Sequence, residues 1–205
     1  PDPYSGSKGA AELVINSYVK SFFPEDGIVR IGVGRAGNVI GGGDWAKDRI
    51  VPDCIRGWAK GEPGQLRRPQ ATRPWQHVLE PLSGYLALAL ALEVRERPNL
   101  HGEPFNFGPS TQQSYSVKDL VSAMSDYWSK VRWEDKSIFE SDPHESRLLK
   151  LNCDKALHTL DWRSVLSFRD TVRMTAEWYR AYYSEPSTVR DLTFAQIQEY
   201  ESSAQ

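Results

Sequence analysis

Long apolar runs, paired cysteines and a charge imbalance are all missing from this chain of 205 residues. A membrane-spanning helix needs about 20 consecutive apolar residues. The best candidate, Leu86 to Leu92, is short and interleaved with alanine, so no span is expected. Two cysteines, Cys54 and Cys153, cannot build a disulfide framework, and their separation fits no zinc spacing. A reducing, cytoplasmic setting and no metal are therefore expected. With 25 basic against 27 acidic side chains the net charge is -2, without the basic excess of a dedicated nucleic-acid binder. Gly41, Gly42 and Gly43 lack the G-x-G-x-x-G spacing of a dinucleotide fingerprint, and no nucleophile elbow is present. Pro1 runs straight into PDPYSGSKGAAE, with neither a basic n-region nor an apolar h-region. A C-terminal piece of a longer protein is expected.

What is present alternates helix and strand, which predicts an α/β fold. Tyr4 to Phe23 repeats apolar residues at three- and four-residue steps, between Pro3 and the Pro24/Gly27 stop. Residues 28–35, IVRIGVGR, read as a buried parallel strand, and GNVIGGGDW follows at its C-terminal end, the edge where open α/β sheets bind ligands. A helix is expected over about Asp48 to Lys60, and an irregular structured loop over Leu66 to Gln76. Leu79 to Arg97 reads as a helix apolar on more than one side, hence buried. EPFNFG reads as a short strand, and Ser116 with Asp119 at N3 caps a helix running to about Lys130. RLLKLN reads as a strand and CDKALHTLDW as a short helix. Phe168 to Ser184 reads as a long helix, and the tail from Thr188 as an amphipathic one with Leu192, Ile197 and Tyr200.

Several side chains can carry chemistry. Tyr4 and Lys8, four apart on a helix, share a face. A free phenol is a poor base at neutral pH, but a neighbouring ammonium favours its phenolate, which can accept a hydroxyl proton. Taken alone, Y-x-x-x-K also describes an ordinary surface pair. Arg67, Arg68 and Arg73 cluster in a near-neutral chain, and arginine forks match phosphate oxygens. A solvated loop held by carboxylates is the plainer reading. Asn38 could donate to a phosphate or sugar oxygen, or simply make a turn. Gly41, Gly42 and Gly43 could let the backbone approach a ligand or form a hinge. His77 reads as a satisfied buried residue. Trp128, Trp133, Trp162, Trp178, Tyr182 and Tyr183 read as packing.

YSGSK followed by RAGNVIGGGDW, TRPWQHVLEPLSGY, FNFG and PHESRLLKLNCDKA to LDW together resemble the extended short-chain dehydrogenase/reductase family, in its motif order and over nearly the whole chain. GNVIGGGDW with RPWQHVLEPLSGYL looks like its nucleotide-sugar 4,6-dehydratase members. The family's N-terminal, fingerprint-bearing half has no counterpart here. The resemblance implies the C-terminal part of a Rossmann-like doubly wound sheet plus a small α/β substrate-binding domain. Residues 1–45 would close the dinucleotide-binding domain, 46–185 would mostly bind the nucleotide sugar, and 186–205 would form a helical tail.

It further implies NAD as cofactor, with Tyr4 as catalytic base and Lys8 assisting it and holding the nicotinamide ribose. Asn38 and Arg73 would hold the diphosphate, and Arg67 and Arg68 would flank the base. Glu145, beside His144, would meet the ribose diol. The acid/base pair of the elimination step would lie outside this chain. A homodimer is implied through the Tyr4 helix, with Val14, Ile15, Tyr18 or Phe22 near the seam. A nucleotide-sugar 4-epimerase or a non-catalytic sugar-nucleotide binding module are the alternatives.

Overall fold

A computed structural model of the chain describes residues 3–94, 100–111, 113–137 and 150–204. Helix α1 (Pro3–Phe22) forms where the apolar period and Pro3 place it. Its stripe stays largely open. Only Val19 is buried, Ile15 is half-buried, and Leu13, Val14, Tyr18 and Phe22 are exposed.

Strand β1 (Val33–Ala36) pairs in parallel with β6 (Pro104–Phe107), register Val33 to Pro104. The expected strand over 28–35 is thus shorter and displaced, and it is not buried, Ile28 being 88% exposed. The reason is the partner. Before Pro104 the chain turns at Gly102, whose φ is 79° and whose amide donates to the Ile31 carbonyl at 2.8 Å. The regular parallel register therefore begins at Val33 and Pro104, after this turn. Helix α3 (Leu79–Glu93) lies on this pair. Gly84 permits the approach, since a Cβ there would sit 2.2 Å from the Phe107 ring. The expectation that α3 is buried on several sides is corrected: Leu88, Ala91 and Leu92 are buried, whereas Leu82, Leu86 and Leu90 are exposed. Phe105, Phe107 and Trp162 complete this core.

A larger core gathers α2 (Ile50–Ala59), α4 (Val117–Met124) and α6 (Phe168–Ser184) around Ile55, Trp58, Leu66, Leu120, Met124 and Tyr179. The caps explain two of these helices. Ser116 and Asp119 form a reciprocal capping box at α4, and the Ser167 hydroxyl accepts from the Asp170 amide at 3.1 Å at α6. Helix α4 ends at Met124, short of Lys130. Strand β3 (Gly64–Leu66) pairs in parallel with β8 (Trp133–Asp135), and β2 (Val39–Ile40) with β5 (Gln76–His77). Strand β4 (Thr72–Arg73) pairs antiparallel with β7 (Tyr115–Ser116). The segment expected to be an irregular loop thus carries β4 and β5. Lys150 to Asn152 form no strand, and the rest of RLLKLN lies outside the described residues. After α5 (Asp154–Leu160) and α6, a 3-10 turn (Pro186–Thr188) leads into α7 (Val189–Ser203). Tyr200 of α7 is buried with Leu166 and Met174 in a third cluster.

Candidate functional site

Helix α2 is amphipathic. Val51, Ile55 and Trp58 go into the core, which turns Asp53, Arg56 and Lys60 to one polar side. That side forms one wall of an open cleft of about 820 Å³, within the roughly 300–1,000 Å³ of small-molecule sites. Facing residues come from β3, β4 and the chain between them, and include Arg67, Arg68 and Arg73. The three arginines singled out in sequence are therefore brought together. Five basic side chains line the cleft against Asp48, Asp53 and Glu62. Arg73 is oriented in part by its own Nη1, which donates to the Thr72 carbonyl at 2.8 Å. Sequence reading missed Arg56 and Lys60. Their signal was there, four apart on the polar stripe of an amphipathic helix, but only the fold shows that this stripe faces the arginine segment. Cys54 also lines the cleft. Burial pushes its thiol up to about 12, so it stays protonated near neutrality and is no nucleophile.

Asn38 is half-buried between β1 and β2, and its carbonyl accepts from the Gln76 amide at 3.0 Å. It is not among the residues lining the cleft. The glycines after it pack closely against the rest of the fold. A Cβ on Gly42 would lie 2.1 Å from the Trp178 ring of α6, so the backbone packs directly under the indole. Gly43 takes φ 81°, a conformation glycine adopts readily. The loop end is fastened as well. The Tyr179 hydroxyl donates to the Asp44 carbonyl at 2.7 Å and accepts from the Asp44 amide at 3.1 Å. Trp45 packs on Tyr179 and Tyr182.

Tyr4 and Lys8 lie together on the first turns of α1. The Lys8 ammonium is 5.5 Å from the Tyr4 ring centroid, and Tyr4 is 71% exposed. Ideal Cβ positions on Gly6 and Gly9 meet nothing within 4 Å, so the helix surface beside the pair is open. Glu12, one turn beyond Lys8, grips Arg35 of β1 through two 2.7 Å contacts, Nε to Oε1 and Nη2 to Oε2. That ion pair holds the Glu12 carboxyl below its usual range and joins the Tyr4 helix to the strand that leads into Asn38. Neither Tyr4 nor Lys8 lines the arginine cleft. Glu145 and His144 lie outside the described residues.

His77 corrects another expectation. It is buried, but Nε2 has no hydrogen-bond partner among the described residues, while Nδ1 accepts weakly from the Leu79 amide at 3.4 Å. Burial, aided by Arg173, lowers its pKa to about 4. Among the described residues no group of three His, Cys, Asp or Glu side chains could hold a metal ion. No helix among them is long and apolar enough to cross a membrane.

No protein-family model matches the chain. Over 188 residues it is 42% identical to CDP-glucose 4,6-dehydratase of Salmonella typhimurium, covering 88% of this chain and 51% of that protein. It is 24% identical to dTDP-D-glucose 4,6-dehydratase of Mus musculus, covering 87% of this chain and 48% of that one. The chain therefore spans about half the length of the curated relatives it matches. In structure it is similar to UDP-glucuronic acid 4-epimerase from Bacillus cereus, solved with UDP-glucuronic acid and NAD. That match has TM-score 0.72 and 21% identity, over 89% of this chain and 54% of that one. It is also similar to dTDP-glucose 4,6-dehydratase from Bacillus anthracis, solved with NAD, at TM-score 0.66 and 19% identity, over 94% of this chain and 55% of that one. The fold is mixed α/β and corresponds to the C-terminal part of those Rossmann-like chains. The chain thus resembles the extended short-chain dehydrogenase/reductase family, in sequence its nucleotide-sugar 4,6-dehydratases and in fold its nucleotide-sugar epimerases and dehydratases.

Proposed function

We propose that this chain is the substrate-binding part of an NAD-dependent nucleotide-sugar 4,6-dehydratase, a lyase that converts CDP-glucose to CDP-4-keto-6-deoxyglucose. The observation that carries the reading is the convergence of Arg67, Arg68 and Arg73 on one cleft, in a chain 42% identical to a CDP-glucose 4,6-dehydratase over 88% of its length. Guanidinium forks suit the two phosphates of such a substrate. Residues 1–45 would complete the dinucleotide-binding domain, 46–185 would mostly hold the nucleotide sugar, and 186–205 would form the tail. Asn38 would help hold the diphosphate with Arg73, and Glu145 would meet the ribose diol. We infer a cytoplasmic homodimer that pairs through α1.

The residues on α1 fit a nicotinamide cofactor. Tyr4 and Lys8 stand side by side on an exposed helix face, with open space over Gly6 and Gly9. Bound NAD would accept hydride from sugar C4 and return it to C6. Tyr4 would take the proton of the C4 hydroxyl as that carbon becomes a ketone, and give it up to solvent later. Lys8, beside it on the same helix face, would donate to the nicotinamide ribose. Loss of water across C5 and C6, and the return of a proton to C5 as C6 gains hydride, would use acid and base groups beyond this chain.

The fold likeness to a UDP-glucuronic acid 4-epimerase supports a second reading, a 4-epimerase using the same Tyr4 and Lys8. Product analysis separates the two, since only the dehydratase yields a 4-keto-6-deoxy sugar. The binding reading is tested by titration calorimetry of CDP, UDP and dTDP against wild type and the Arg67→Ala, Arg68→Ala and Arg73→Ala variants. Arg73→Ala should weaken all three ligands, by roughly the 1.5 to 3 kcal/mol of a charge-assisted hydrogen bond. Changes at Arg67 or Arg68 should shift preference among bases, because cytosine and uracil differ at one exocyclic donor or acceptor. Preference for dTDP would overturn the CDP assignment, and binding of none would overturn the sugar-nucleotide reading.

A further inference from the structure

Arg56 stands where the cleft meets the glycine-rich loop. It projects from the polar face of α2 and lines the cleft. Its Nη1 donates to the Trp45 carbonyl at 3.0 Å and its Nη2 to the Ala46 carbonyl at 3.4 Å, and Nη2 also pairs with the Asp53 carboxylate one turn earlier. The same loop is fastened independently to α6, where the Tyr179 hydroxyl holds both the amide and the carbonyl of Asp44 and the Trp45 ring meets Tyr179 edge-on at 5.3 Å. The loop is thus held to α6 by a tyrosine and to α2 by the Arg56 fork on the cleft wall, with Arg49 Nη1 also donating to Asp44 Oδ2 at 3.1 Å. A planar guanidinium can bridge two carbonyls and a carboxylate at once. A lysine ammonium supplies the same charge without that fork.

We propose that Arg56 is a positioning residue of the cleft, strapping the end of the glycine-rich loop, seated on α6, to the α2 wall so that loop and wall act as one unit when an anionic ligand binds. The ligand, a nucleoside diphosphate, rests on the sugar-nucleotide reading above; the strap does not. A role in charge alone would be met equally by lysine. A role as a strap needs the fork and leaves its trace in the loop backbone, where the Asp44 amide donates to the Tyr179 hydroxyl and the Ala46 amide to Asp44 Oδ1 at 2.9 Å.

The test compares wild type, Arg56→Lys and Arg56→Gln by two measurements, hydrogen exchange at the Asp44 and Ala46 amides and calorimetric titration with CDP at fixed salt. Both variants should exchange these amides about tenfold faster and bind CDP about five- to tenfold more weakly, roughly the net contribution of one ordinary hydrogen bond. Lysine should do little better than glutamine. Full recovery of protection and affinity by Arg56→Lys would make Arg56 a simple charge and overturn the proposal. Unchanged exchange in both variants would do the same. Wild type supplies a reading that needs no variant: saturating CDP should slow both amides, and unchanged exchange in the CDP complex overturns the coupling of loop to cleft. If wild type fails to bind CDP while both variants still loosen the loop, the CDP assignment falls and the strap stands.

Discussion

Tyr200, on the last helix, donates its hydroxyl hydrogen to the Glu80 carboxylate at the start of α3, across 3.0 Å and 120 residues of chain. The other carboxylate oxygen accepts from the Val165 and Leu166 amides at 2.9 and 2.6 Å, and Ser83 links the Tyr200 hydroxyl at 2.7 Å to the Trp162 indole at 2.9 Å. Glu80 is 1% exposed, and its partners Leu166 and Tyr200 are buried as well. Burial pushes its carboxyl above the usual range, and these hydrogen bonds pull it back. Three elements distant in sequence close on one carboxylate.

Glu80→Ala should therefore destabilise the fold by about 2–4 kcal/mol, because it strands two backbone donors and a phenol. Tyr200→Phe, which keeps the ring, should cost about 1–2 kcal/mol. Urea unfolding reads both as a lower midpoint at unchanged slope. A midpoint within error of wild type for Glu80→Ala would show that the hub does not stabilise the fold.

His77 sets an acid-side limit. Its folded pKa, about 4, lies below the ordinary 6.5 because it is buried, with Arg173 adding to the effect. The unfolded chain therefore binds a proton at this residue before the folded one does, and stability is lost as pH falls from about 6.5 toward 4. The loss should approach about 3 kcal/mol at pH 4. His77→Gln cannot take up that proton. The stability difference between wild type and His77→Gln should shift by this amount between pH 7 and pH 4 in favour of the variant. A constant difference would contradict the assignment.

Tyr4→Phe tests the chemistry. In the complete enzyme we propose, removing the hydroxyl should cost about 100- to 10,000-fold in turnover. Tyr4 is 71% exposed and its ring is retained, so folding should survive. Nucleotide affinity should change far less, since the arginine cleft is built from other elements. Turnover within about tenfold of wild type would remove Tyr4 from the general-base role.

The open stripe of α1 predicts association. Leu13, Val14, Tyr18 and Phe22 are 73%, 56%, 57% and 67% exposed, more apolar surface than a helix usually leaves in water. Sedimentation of the complete protein should show a dimer at micromolar concentration. Val14→Glu with Tyr18→Glu should convert it to a monomer. A wild-type monomer would contradict the pairing.

The sequence by itself determined what is local. Ser167 and Asp170 mark the start of α6, and Ser116 with Asp119 that of α4, because a cap is a contact between residues three apart. Tyr4 and Lys8 share a face for the same reason, helical spacing. Tertiary structure alone decided the rest. β1 is four residues long because β6 is, and Gly102 turns the chain just before it. The leucine stripe of α3 divides into a buried face and an exposed one according to where β1 and β6 lie, which no periodicity states. Arg56 and Lys60 join Arg67, Arg68 and Arg73 only because α2 folds over β3 and β4. Helical hydrogen bonds close within one turn, so their signals sit side by side in the chain; strand pairing, burial and the convergence of charges depend on residues brought together from far apart.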